Sequence, residues 1–90
     1  MQKIRSFSLL RYVEAALRQA DYERDENGVI IAQVSGASGY FAQGETFEEA
    51  RLNLRDAIEG NVLLALQLGF SIPPMQGVEI EEQNAEVIAA

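Results

Sequence analysis

Apolar residues recur at helical spacing in two stretches of this 90-residue chain, and between those stretches they cluster as strands do. Leu9, Tyr12, Val13, Ala16, Leu17 and Ala20 fall on one side of a helix over residues 8–20, with Arg11, Glu14, Arg18 and Gln19 opposite. Ser6 or Ser8 is placed to cap its start. Tyr22–Asp25 and Val29–Val34 then predict two strands. Asn27-Gly28 between them predicts a hairpin with a type I′ turn, whose two central residues both need positive φ. Val29, Ile30 and Ile31 are consecutive and β-branched, as in a central strand covered on at least one face. Ser35–Gly39 is a small-residue loop, Tyr40–Gln43 a third short strand, and Gly44-Glu45 turns the chain into the next element.

That element carries the clearest signals. Thr46 and Glu49 have the spacing of a capping box, in which each side chain satisfies a backbone donor of the first helical turn. Glu48 and Glu49 complement the positive end of the helix dipole. Phe47, Ala50, Leu54, Ala57 and Ile58 form one apolar stripe for a sheet to cover. Gly69 is placed as the residue just past the helix, and Pro73-Pro74 prevent continuation. After Gly60 the helix is apolar nearly all round, which a small domain can hardly cover alone. Val62, Leu63, Leu66 and Phe70 are therefore candidate oligomer or partner contacts. The plainer alternative is that the C-terminal segment folds back over them.

Val78 and Ile80 alternate with Glu79 and Glu81, as in an edge strand or one swapped onto a neighbour, and residues 83–90 read as a helical or frayed tail. The expected architecture is a small α+β single domain over residues 1–90, with its core at 9–74. An N-terminal helix precedes a three-stranded antiparallel sheet on which one long helix packs, with a possible edge strand or tail in 75–90.

Charge narrows the function. Fourteen Asp and Glu against seven Lys and Arg give a formal charge of −7, which repels phosphate backbones and suits a basic partner. The chain has no cysteine and no histidine, so thiolate chemistry and the commonest general base and metal ligand are missing. The serines have no base to activate them except Lys3, the one lysine, and the glycines do not form a phosphate-binding loop. Three acidic clusters, Asp21/Glu23/Asp25/Glu26, Glu45/Glu48/Glu49 and Glu79/Glu81/Glu82, read as solvated faces ahead of a metal site. Tyr12, Tyr22, Tyr40, Phe41 and Phe47 read as core and half-buried sheet residues. No apolar run suits a leader or a membrane span, so a cytoplasmic, non-catalytic protein without cofactor or metal is expected.

The ordered set Gly39, Ala42, Gly44, Thr46, Glu49, Ala50, Asn53, Leu54, Ala57, Ile58, Gly69, Ile72 and Pro73 resembles the HicB family, antitoxins of a bacterial type II toxin–antitoxin system. Tyr22-Glu23, Asp25-Glu26, Gly28 and Ala32 look like that family's first hairpin, and Tyr12–Ala20 is similar to a subgroup with a leading helix. The resemblance covers roughly residues 9–74. It implies a β-β-β-α core, homo-oligomerisation as dimer or tetramer, and tight binding to a small basic HicA-like ribonuclease toxin that cleaves mRNA. Many relatives also repress their own operon through a C-terminal DNA-binding domain. The sixteen residues after Pro74 are acidic and too few for a helix-turn-helix, so no direct nucleic acid binding is expected. A second reading stays open: an orphan self-associating structural or regulatory domain with no toxin. A divalent-metal-dependent hydrolase built on the acidic clusters ranks third.

Overall fold

The structure, a computed structural model, describes the backbone of residues 2–85 and the side chains of residues 7–81. Strand β1 (Gln2–Ser6) leads into helix α1 (Leu9–Arg18), followed by β2 (Ala20–Arg24), β3 (Ile30–Val34), β4 (Phe41–Gly44), the long helix α2 (Phe47–Leu68) and β5 (Glu81–Ala85). The three middle strands form an antiparallel sheet in the order β2-β3-β4, and β1 pairs with β5 in a separate two-stranded ribbon.

Helix α1 starts at Ser8, whose hydroxyl accepts the Arg11 N–H, so Ser8 and not Ser6 is the cap. It ends two residues short of the predicted stripe, because Ala20 pairs with Val34 as the first residue of β2. Helix and sheet share that position: Tyr12, Val13, Ala16 and Leu17 are buried, and Ala20 packs half-buried on the same core from the strand.

The hairpin forms where expected with a different turn. Gly28 has φ 82°, and no residue other than glycine has positive φ among those described, so Asn27 does not take the type I′ conformation. Asp25 organises the loop instead. Its carbonyl accepts the Gly28 N–H at 3.0 Å, and its carboxylate accepts the Asn27 and Val29 N–H groups at 2.9 Å each. A type I turn closed by a left-handed glycine results, the three-residue hairpin loop.

Ile30, Ala32 and Val34 alternate inward on β3 and meet Ala50, Leu54, Ile58 and Val62 of α2 in one core with α1. Two features let α2 lie close along β4. A Cβ on Gly44 would stand 2.4 Å from the Ala50 backbone nitrogen, so only glycine fits there. Further along, the Asn53 amide donates to the Gln43 carbonyl at 2.8 Å, and the Asn61 amide donates to the Gly39 carbonyl at 3.2 Å. Eight helical residues advance about 12 Å and four strand residues about 13 Å, so this asparagine spacing matches an antiparallel helix and strand.

The start of α2 is half of the expected capping box. Thr46 Oγ1 accepts the Glu49 N–H at 3.0 Å, and the reciprocal bond from the Glu49 carboxylate is not formed. At the other end Gly69 has φ 73°, and the Ala65 carbonyl accepts both the Gly69 and Phe70 N–H groups, which closes the helix as predicted.

Residues 75–90 depart most from expectation. Val78 and Ile80 are not a strand; they lie half-buried against the core after a turn at Met75–Val78, and Met75 is buried. The C-terminal strand expected within 75–90 falls on Glu81–Ala85, running into the stretch from Gln83 read as a tail, and a further strand falls on Gln2–Ser6, where none was expected. The expected tail over 86–90 lies outside the described residues.

Candidate functional site

Two surfaces stand out on this fold, and both face outward. The first is the late part of α2. Val62 is fully buried against the sheet, so it belongs to the core and not to an interface; its place on the helix puts it in line with Leu54 and Ile58. Leu63, Leu66 and Phe70 are exposed by 53%, 43% and 58%, with Leu64 and Leu68 beside them similarly open. At 100° per residue Leu52, Leu63 and Leu66 share one stripe of the helix. No charged residue occurs from Gly60 to Val78, in a chain where almost a quarter of residues are charged. As far as it is described, the segment after Gly69 does not cover these leucines. It crosses α1 instead, where the Tyr12 hydroxyl donates to the Pro73 carbonyl and the Gln19 amide reaches the Gln76 carbonyl at 3.5 Å.

The second surface is the sheet face turned away from both helices. Register places Asp21, Gln33 and Phe41 in one row across the strands and Glu23, Ile31 and Gln43 in the next. Asp21, Glu23 and Phe41 are exposed, so this face carries two carboxylates at one edge and an open aromatic ring at the other. Phe41 was expected to be half-buried; β4 turns it outward because Ala42 and Gly44 take the inward positions. Phe47 is likewise exposed by 54%, yet it is not idle: its ring meets Tyr22 edge-on at 6.1 Å, and the Arg24 guanidinium lies 5.8 Å from its centroid.

The acidic clusters do not converge. Asp25 is engaged by its own loop, and Asp21 accepts the Ser35 hydroxyl at 3.4 Å. Glu45, Glu48 and Glu49 are exposed around the start of α2, and Glu79 and Glu81 lie near the ribbon. Among the described residues no three acidic groups gather in metal-binding geometry.

Among the described residues, the buried polar arrangement is a tyrosine pair that sequence reasoning took as plain core. Tyr12 and Tyr40 are packed edge to face, ring centroids 6.4 Å apart, with their hydroxyls 3.0 Å apart. The Pro73 carbonyl can only accept, so Tyr12 donates to it and accepts from Tyr40. Burial pushes both phenols above their ordinary range, Tyr12 further than Tyr40. Helix α1, the β3–β4 loop and the post-helix segment are joined at this point. No periodicity signals such a pair; two tyrosines 28 residues apart meet only through the topology.

A three-stranded antiparallel sheet with two helices on one face and the other face open defines a small α+β domain whose outward features suit protein contacts. The chain belongs to the UPF0150-like family, whose description matches residues 11–73. The UPF0150 protein ssr1258 of Synechocystis sp. is 43% identical over 37 residues, 41% of this chain, and the match spans 54% of that relative's length. Among solved structures, TTHA0281 from Thermus thermophilus superposes with a TM-score of 0.74 at 32% identity, covering 81% of this chain and 91% of that one. The N-terminal domain of the antitoxin HicB from Burkholderia pseudomallei has the same fold, with a TM-score of 0.53 at 22% identity over 76% of this chain and 94% of that domain. No helix among the described residues is long and apolar enough to cross a membrane.

Proposed function

We propose that this chain is a non-catalytic binding domain of the antitoxin kind, which neutralises a small basic ribonuclease by covering it. The observation that carries this reading is the open sheet face, where Asp21 and Glu23 stand exposed beside Phe41 and no described element packs over them. A face with carboxylates at one edge and an aromatic anchor at the other offers steering charge and an apolar contact together. The overall charge of −7 acts in the same sense. The fold shared with a HicB N-terminal domain supports the reading at the level of architecture.

The test is purification of the tagged chain from its own host with mass spectrometry of the co-eluting proteins. A stoichiometric small basic protein, bound more weakly as salt rises, is the expected result. Recovery of the chain alone favours the second reading, a self-associating domain without a toxin, for which the exposed leucines of α2 speak. Salt-independent binding would remove the electrostatic part of the proposal.

A further inference from the structure

The β1–β5 ribbon is the part of the described fold that the core does not account for. It packs substantially against no other element, and an open cleft of about 440 Å³, lined by Phe7, Arg11, Gly77, Val78 and Glu79, separates it from the core. The whole molecule measures 60 × 23 × 18 Å with a radius of gyration of 15.7 Å, where a compact chain of this length has about 12 Å. A two-stranded ribbon alone in water is marginal, and an unpaired strand edge is a template for another chain. The ribbon's own sequences add little: Glu81–Ala85 contains no β-branched or aromatic residue.

We infer that β5 of one copy pairs antiparallel with β5 of a second copy about Gln83, making a four-stranded sheet in the order β1-β5-β5-β1. Strand length and cross-strand charge together select this pairing, since about Gln83 all five residues of β5 find a partner. A two-fold pairing of β1 about Ile4 sets Lys3 opposite Arg5 twice. Pairing β5 about Glu82 sets Glu82 against itself. Pairing β5 about Gln83 sets Glu81 opposite Ala85 and Glu82 opposite Asn84, so no two like-charged positions are directly paired. Pairing β1 with a neighbour's β5 is head-to-tail and leaves a free edge at each end, which does not close. The inference uses neither the leucine face nor the partner proposed above, and it stands or falls apart from them.

Residue 83 sits on the two-fold axis, so substitutions there meet themselves across the dimer and nowhere else. In the full chain, Gln83→Glu and Gln83→Lys each raise the dissociation constant by about two- to fivefold in sedimentation velocity. An equimolar mixture of the two recovers wild-type or tighter association, on whichever assembly step the ribbon controls. Because the chain has no cysteine, Gln83→Cys also forms a disulfide-linked dimer on mild oxidation, faster than the exposed sheet-face control Gln33→Cys. A wild type that stays monomeric, single variants with unchanged association, a mixture no tighter than its components, or cross-linking no faster than the control each overturns the proposal.

Discussion

At the scale of the residue, Tyr12 is the most consequential polar group in the domain. Its hydroxyl both donates to the Pro73 carbonyl and accepts from Tyr40, so Tyr12→Phe leaves two groups without their partner. A cost of about 2 kcal/mol is expected, against about 1 kcal/mol for Tyr40→Phe, which leaves the bond to Pro73 intact. Urea denaturation of the two variants checks the order, and equal losses would show that the Tyr12–Pro73 bond adds no stability beyond the tyrosine pair. Both phenols titrate above their ordinary value in the folded state, so the folded protein holds protons that the unfolded chain releases. Stability from this source is complete below about pH 10 and falls as pH rises from there towards the folded values. Tyr12→Phe flattens that alkaline loss. Glycine positions divide just as sharply. Gly44→Ala drives a methyl into the Ala50 backbone and is expected to cost about 3 kcal/mol or more. Gly60→Ala meets nothing within 4 Å inside a helix and is expected to stabilise by roughly 0.5–1 kcal/mol. Thermal melts of the pair read both signs in one experiment.

At the scale of the element, α2 is held along β4 by two amides rather than by apolar contact alone. Asn61 donates to the Ala57 carbonyl one turn back as well as to Gly39, and its side chain occupies the place a Cβ on Gly39 would need. Asn53→Ala and Asn61→Ala are each expected to cost about 1 kcal/mol in chemical denaturation. The two sites lie about 12 Å apart along the helix, so the double variant is expected to lose the sum of the single effects. A clear departure from additivity would mean that helix and strand shift together when either amide is removed.

At the scale of the whole molecule, α2 and the ribbon make no substantial contact with each other and pose separate questions. Exposed leucines at 63, 64, 66 and 68 together with Phe70 leave on the order of 400 Å² of apolar surface open, comparable to the largest patch on a typical monomer, which is often functional. Residues 60–78 carry no charge, so a contact between copies there avoids the repulsion of a chain of charge −7. Leu63→Glu or Leu66→Glu is expected to lower the assembly mass in light scattering without lowering the melting temperature of the monomer, since both side chains point away from the core. An unchanged mass would remove this face from the assembly. If both the leucine face and the ribbon form two-fold contacts, the closed arrangement is a tetramer; one alone gives a dimer.

Local sequence was enough for the middle of this protein. Helix α1, three strands and α2 follow from spacing, from the Thr46 cap and from Gly69, because each is fixed by contacts within a few residues. The glycine of the hairpin was legible and its turn type was not, since the Asp25 carboxylate competes for the loop's N–H groups and the dipeptide alone does not reveal that. The apolar run after Gly60 announced an unusual helix, but only packing decided that Val62 turns inward while Leu63 and Leu66 stay open, because the sheet covers one side of the helix and no described residue covers the other. Tertiary structure alone brought Tyr12 to Tyr40, Asn61 to Gly39, and the first strand to the last. Those partners are 22 to about 80 residues apart, and a pairing at that distance depends on the path of the chain between them, which no short stretch of sequence contains.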